Sequence, residues 1–131
     1  SRTFSANSVR QMVAERTGYD ISENSDAGVL DGIAYDIFPN FHLWGGFKDK
    51  ISYRFRPLSH NRTLMEVFIF TLAPKDGPRP KPAQIRMLGE DENWNGVPEL
   101  GALAPVYDQD YGNMGSVQEG LEALGEGGLH M

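Results

Sequence analysis

Between Val106 and Leu124 the apolar residues Val106, Met114, Val117, Leu121 and Leu124 recur at the spacing of one face of an α-helix. Asp110 lies four residues after Val106 and four before Met114, so a carboxylate sits in the middle of that stripe. A helix that buries the stripe carries this charge toward the core, where an unpaired ion is costly. The fold must therefore provide Asp110 with a partner. Asp108 falls on a different face and reads as a solvated neighbour.

From the residues alone, Asp110 admits two readings. It is either a carboxylate ligand to a hard or borderline metal, or a cap for a helix restarted after Pro105 or a partner to a core arginine. In the metal reading, Asp110 is the carboxylate of a two-histidine, one-carboxylate facial triad that holds non-haem Fe(II). Three protein ligands then occupy one face and leave the opposite positions open for O₂ and substrate. Asn113, three residues on, and Gln118, two turns on, are either groups that orient this carboxylate or polar residues of the helix surface.

Composition removes whole classes of chemistry. The absence of cysteine excludes disulfides, thiolate metal sites and cysteine nucleophiles. Only His42, His60 and His130 remain as imidazoles, and no two stand at the spacing that places both on one helical face. A net charge of −6 with scattered Lys and Arg argues against nucleic acid, which is bound through clustered cations. No run approaches the ~18 apolar residues of a membrane span, and Ser1-Arg2-Thr3-Phe4 lacks the plan of a signal peptide. A cytoplasmic protein with no membrane partner is expected. The length of 131 residues fits one domain, and both ends read as cuts through a larger protein.

The chain changes period along its length. Ser5 to Thr17 reads as an amphipathic helix with Val9, Met12 and Val13 on one face and Gly18 as its stop. A second short helix is expected from Asp26 to Ile33, capped by Ser25 or Asp26. Period two follows, with strands expected over Ile33 to Phe38, Trp44 to Lys48, Ile51 to Arg56 and Thr63 to Leu72. Ser59 to Arg62 makes the last two a hairpin, Lys75 to Pro82 is loop, and Gln84 to Leu88 offers one more strand. Pro98-Glu99 opens the helical region, and Pro105 predicts a bend just ahead of Asp110. The class is α+β, with an antiparallel sheet and a long closing helix.

Two other stretches stand out. Phe38-Pro39-Asn40-Phe41-His42-Leu43-Trp44 is dense in aromatics and either lines a pocket for an apolar ligand or plugs a strand end into the core. His42 is a metal-ligand candidate there without a neighbouring histidine. Trp94, between Asn93 and Asn95, reads as a loop anchor.

Asp31 to Asn40, with its Phe-Pro-Asn, resembles a strand in the catalytic domain of Rieske-type aromatic-ring-hydroxylating oxygenases. Downstream, Asp-Gln-Asp-Tyr-Gly-Asn-Met (Asp108 to Met114) with Val117-Gln118-Glu119-Gly120-Leu121 is similar to that family's iron-carboxylate helix. Tyr53 to Pro57 and the segment from Trp94 to Leu100 fit the same pattern. The resemblance implies a helix-grip fold of the START/Bet v 1 type, a sheet curved around the long helix over a hydrophobic pocket. It implies Asp110 as the iron carboxylate and Gly32, Ala34, Trp44, Leu100 and Val106 as pocket positions. In the parent enzyme it implies a Rieske [2Fe-2S] cluster, electrons from a ferredoxin or reductase, and a homotrimer or alpha-beta assembly.

The resemblance also implies what these residues do not carry. Cluster ligands need cysteine, and both iron histidines belong to a helix upstream of Ser1. The chain thus reads as the C-terminal part of an α-subunit catalytic domain, an incomplete domain with one iron ligand of three, expected alone to bind Fe(II) weakly or not at all and to be inactive. The competing expectation is a non-enzymatic helix-grip module for a hydrophobic ligand, against which a carboxylate on the inner helix face speaks. A small α+β interaction domain is the third.

Overall fold

Ser1 starts the first helix by accepting a hydrogen bond from the Phe4 N–H through its hydroxyl (3.4 Å). In the computed structural model, which describes residues 1–47 and 50–125, this helix α1 runs Arg2–Thr17. Gly18 ends it in the left-handed region at φ 75°, its N–H reaching the Ala14 carbonyl. Helix α2 (Asp26–Leu30) starts at Ser25, whose hydroxyl accepts from the Gly28 N–H (3.1 Å). It ends before Ile33 because that residue already belongs to the first strand.

The core of this part lies between the two helices. Ala6, Val9 and Val13 of α1 meet Ile21 and Val29, with Leu30, Phe47 and Leu72 packed against them. Met12, expected on the same face as Val9 and Val13, is exposed, because the buried face turns through Ala6 and Thr17 instead. Arg10 ties the helices together, donating to the Asn24 carbonyl (2.5 Å) and to Asp26 (2.8 Å). The Asp26 carboxyl is held below the ordinary carboxylate range, first by the Arg10 hydrogen bond.

Among the described residues four strands form one antiparallel sheet in chain order: β1 (Ile33–Ile37), β2 (Phe41–Gly45), β3 (Lys50–Ser59) and β4 (Arg62–Phe70). Because β2 starts at Phe41, its turn from β1 is only Phe38-Pro39-Asn40, and Ile37 pairs with Phe41. The expected strand from Trp44 to Lys48 is thus displaced toward the turn, and Lys48 lies outside the described residues, as do Gly127 to Met131. The β3–β4 hairpin forms as expected, with a register shift between Pro57 and Ser59. Arg54 and Glu66 sit opposite each other and bond through two contacts (2.6 and 3.0 Å), with the guanidinium 5.7 Å from the Phe68 ring centre.

Gln84 to Leu88 joins no sheet among the described residues, since no neighbouring strand accepts its backbone bonds. Ile85 and Met87 are exposed there, and Arg86 reaches Glu99 (3.2 Å). Two 3-10 turns, Trp94–Gly96 and Pro98–Leu103, lead into α3 (Ala104–Leu124). Pro105 occupies the first turn of α3, where a missing N–H costs nothing. The break lies earlier, at Gly101 (φ 53°, ψ −128°), and α3 runs uninterrupted through Asp110. The chain divides into two compact units, one Ser1–Pro82 and the other beginning at Ala83.

Val29, 1% exposed, loses two buried methyl groups on Val29→Ala, which lowers unfolding free energy by roughly 2 kcal/mol in urea titration. Val117→Ala, at an exposed site, changes it by less than about 0.5 kcal/mol. The Glu66 carboxyl is held below its ordinary 4.5 by the Arg54 hydrogen bond, then by the charges of Arg54 and Arg56. Its stabilisation is complete above pH 4.5 and is lost as pH falls through the lowered folded value. Glu66→Gln therefore flattens the acid limb of a stability-against-pH curve, a change read by circular dichroism.

Candidate functional site

Helix α3 has a buried side and an apolar side, and they are different. Ala104 and Tyr107 are buried and Asp108 is half-buried, which defines an inward face at i, i+3 and i+4. The stripe of Val106, Met114, Val117, Leu121 and Leu124 is turned roughly a third of a turn away. All five side chains are exposed. Asp110 is exposed with them, so the expected burial of this carboxylate does not occur. Nor does it cap a helix start, because α3 begins at Ala104. Among the described residues Asp110 has no hydrogen-bond or ion-pair partner, and its carboxylate oxygens are open to a ligand.

Asn113 is exposed on the next turn. Gln118, half-buried, donates to Glu122 one turn on (2.8 Å), so in this structure it acts as a helix-surface amide. Leu100 is 5% exposed and, with Val97, Ala104 and Tyr107, makes up the buried apolar set among the described residues of this unit.

Asp108, expected to be solvated, is the engaged carboxylate. It accepts the backbone N–H of Trp94 (2.6 Å) and that of Asn95 (3.2 Å), and also the Asn95 side-chain amide. The Trp94 ring lies 5.3 Å from the Tyr107 ring. The loop-anchor role expected of Trp94 is thus carried out through one turn of α3. The two N–H groups it satisfies open the first 3-10 turn, where no intrahelical acceptor exists.

On the sheet, the register gathers a second group. Side chains alternate between faces, so Gly32, Ala34, Asp36, His42, Trp44 and Tyr53 share one face. Ala34 stands opposite Trp44, and a Cβ on Gly32 would come within 3.2 Å of the Trp44 ring. Three of the expected pocket positions are therefore side by side. His42 bonds Asp36 (2.5 Å), lies against Tyr53 at 5.6 Å and 28°, and meets Trp44 edge-on at 5.6 Å. Phe38, at the turn, is 95% exposed, so the aromatic run does not plug the core. Phe41 faces the opposite side, toward Phe68.

The sequence pattern does not single out Asp36. Its partnership with His42 is visible in the pattern only once β2 is started at Phe41, because a three-residue turn then sets positions 36 and 42 opposite each other. Among the described residues no group of three or more His, Cys, Asp or Glu side chains is arranged to hold a metal ion. No described helix is long and apolar enough to cross a membrane. No protein-family model matches the chain, nor does any curated protein or solved structure.

The Asp108 clamp makes a direct prediction. Asp108→Ala leaves the Trp94 and Asn95 amides without their acceptor, at a cost of about 1–3 kcal/mol for the hydrogen bonds of a charged group. Hydrogen exchange at those two amides accelerates by tenfold or more, while Val13 and Val29 amides are unchanged.

Proposed function

We propose that these residues are the C-terminal part of the catalytic domain of a Rieske-type ring-hydroxylating oxygenase. The observation that carries the reading is Asp110 itself: an unpartnered carboxylate on the apolar stripe of α3, inside Asp-Gln-Asp-Tyr-Gly-Asn-Met and downstream of Phe38-Pro39-Asn40. The order of a four-stranded antiparallel sheet followed by a long helix is compatible with it.

In this reading Asp110 provides the carboxylate of a mononuclear Fe(II) site, and two histidines outside these residues provide the rest. The donor chemistry fits, since the carboxylate is ionisable, reachable and not committed to another side chain. When bound, the iron supplies the centre at which O₂ is activated, and a Rieske [2Fe-2S] cluster fed by a ferredoxin or reductase supplies electrons in the parent enzyme. Asn113, on the following turn, makes no bond to Asp110 in this structure and would orient the carboxylate only in the loaded site, and Gln118 lies two turns on. Gly32, Ala34 and Trp44 on the sheet provide an apolar aromatic surface for a substrate that is hydroxylated or demethylated, and Leu100 and Val106 are further proposed substrate positions.

The helix-grip arrangement belongs to the same proposal. The exposed stripe of Val106, Met114, Val117, Leu121 and Leu124 is the surface that such a fold covers, and burial of apolar area at about 25 cal/mol per Å² favours covering it. A cytoplasmic trimer or alpha-beta assembly is the proposed setting. The second reading, a non-enzymatic helix-grip carrier, draws on the aromatic face of Trp44, His42 and Tyr53, which needs no metal.

Iron content separates the two. In the full-length protein, Asp110→Ala abolishes mononuclear iron and turnover while the Rieske cluster keeps its visible absorption. Full iron stoichiometry in that variant overturns the ligand assignment. A parent gene that encodes neither cluster cysteines and histidines nor a later helical histidine pair overturns the oxygenase reading altogether.

A further inference from the structure

Among the described residues His42 is the one imidazole on the sheet face that carries Gly32, Ala34 and Trp44, and its ring is fixed on three sides. Asp36 holds Nδ1 at 2.5 Å, Tyr53 lies along one ring face, and Trp44 meets it edge-on. An ionised carboxylate only accepts hydrogen bonds, so Nδ1 carries the proton and donates it to Asp36. In the neutral ring Nε2 then presents a lone pair. Among the described residues nothing donates to that nitrogen, although the His42 side chain is only 24% exposed.

We infer that His42 Nε2 is the hydrogen-bond acceptor of a ligand site whose occupant is a neutral aromatic ring bearing an O–H or N–H donor. The chemistry around it narrows the class. Ala34, Trp44 and Tyr53 give an apolar and aromatic surround that suits a planar ring, while a single fixed polar atom sets its orientation. Among the described residues the acidic side chain bonded to this ring is Asp36, and the chain is acidic overall at −6, so an aromatic carboxylate is disfavoured. A pre-set imidazole loses little freedom on binding. The site as a binding site stands on these contacts alone. Its description as the substrate pocket, and hence of a phenol-like substrate class, rests on the oxygenase reading.

The probes are phenol, anisole and benzoate, titrated into the protein while the amide signals of Ala34, Trp44 and Tyr53 and the Trp44 indole are followed by NMR. Phenol and anisole share a ring, but anisole has no O–H to give. Phenol binds about fivefold more tightly than anisole, the worth of one neutral hydrogen bond, and benzoate binds more weakly than either. His42→Phe keeps a ring between Tyr53 and Trp44 but removes the acceptor, and the phenol-to-anisole ratio falls to about one. Asp36→Asn lowers the ratio too, because an amide no longer dictates which nitrogen carries the proton. Equal binding of phenol and anisole to the unaltered protein overturns the inference without recourse to any variant, as does a preference that survives His42→Phe or shifts confined to other residues. Iron analysis of the full-length protein is read separately. Phenol preference without mononuclear iron overturns the oxygenase reading and leaves this site standing, whereas iron without phenol preference overturns the site alone.

Discussion

The pairing of Ile37 with Phe41 across Phe38-Pro39-Asn40 sets the register of the first hairpin, and most of what the sheet can do depends on it. Strand side chains alternate, so a slip of one residue sends every one of them to the other face. With this register Ala34 meets Trp44, Asp36 meets His42, and Phe41 is sent across to Phe68. The second hairpin then adds Tyr53 opposite His42. Backbone hydrogen bonds thus decide which side chains can interact before any side chain contributes energy of its own. The Asp36–His42 contact, exposed on the Asp36 side, adds little stability, and its consequence is orientation of the ring.

Helix α3 illustrates the opposite relation, where side chains decide which way an element faces. Its first turns are held by Ala104 and Tyr107 against the preceding 3-10 turns and by Asp108, which accepts the N–H groups those turns leave open. Two carboxylates only two positions apart therefore have unlike surroundings. Asp108 is committed to backbone, and Asp110 is committed to nothing among the described residues. A charge left in solvent is cheap to keep, so stability alone gives no reason for Asp110. In the proposed oxygenase, its reason is coordination.

Strand and cap signals were the most legible parts of the sequence. Alternation over Ile51 to Arg56, the connection at Ser59 to Arg62, the stop at Gly18 and the cap at Ser25 all appear where local chemistry puts them. These depend on near neighbours and backbone preferences. What the pattern did not reveal depends on contacts made at a distance. Strand β2 was obscured because Phe41, His42 and Trp44 put aromatic rings on both faces and blur the alternation. The inward face of α3 was missed because Ala104 and Tyr107 are a weaker signal than five apolar residues in a stripe, although the 3-10 turns pack on the weaker one. The role of Asp108 is hidden from the pattern for the same reason, since its partners Trp94 and Asn95 lie fourteen and thirteen positions back.

The two groups of residues that matter for the proposed chemistry are supported differently, and that difference bears on how each tolerates change. Asp36, His42, Trp44 and Tyr53 sit on paired strands, and β2 is held by main-chain bonds to β1 on one side and β3 on the other. Asp110 sits on an exposed length of helix whose apolar neighbours have their surface still open. Chemistry between an oriented substrate and a metal demands placement to within about an ångström. For the proposed enzyme, the sheet already provides its share of that accuracy through register. The helix would gain its share only by burying Val106, Met114, Val117 and Leu121, so these side chains act as aligners of Asp110 as much as stabilisers. On this argument, polar substitutions along the stripe reduce iron occupancy in the parent enzyme before they unfold the sheet.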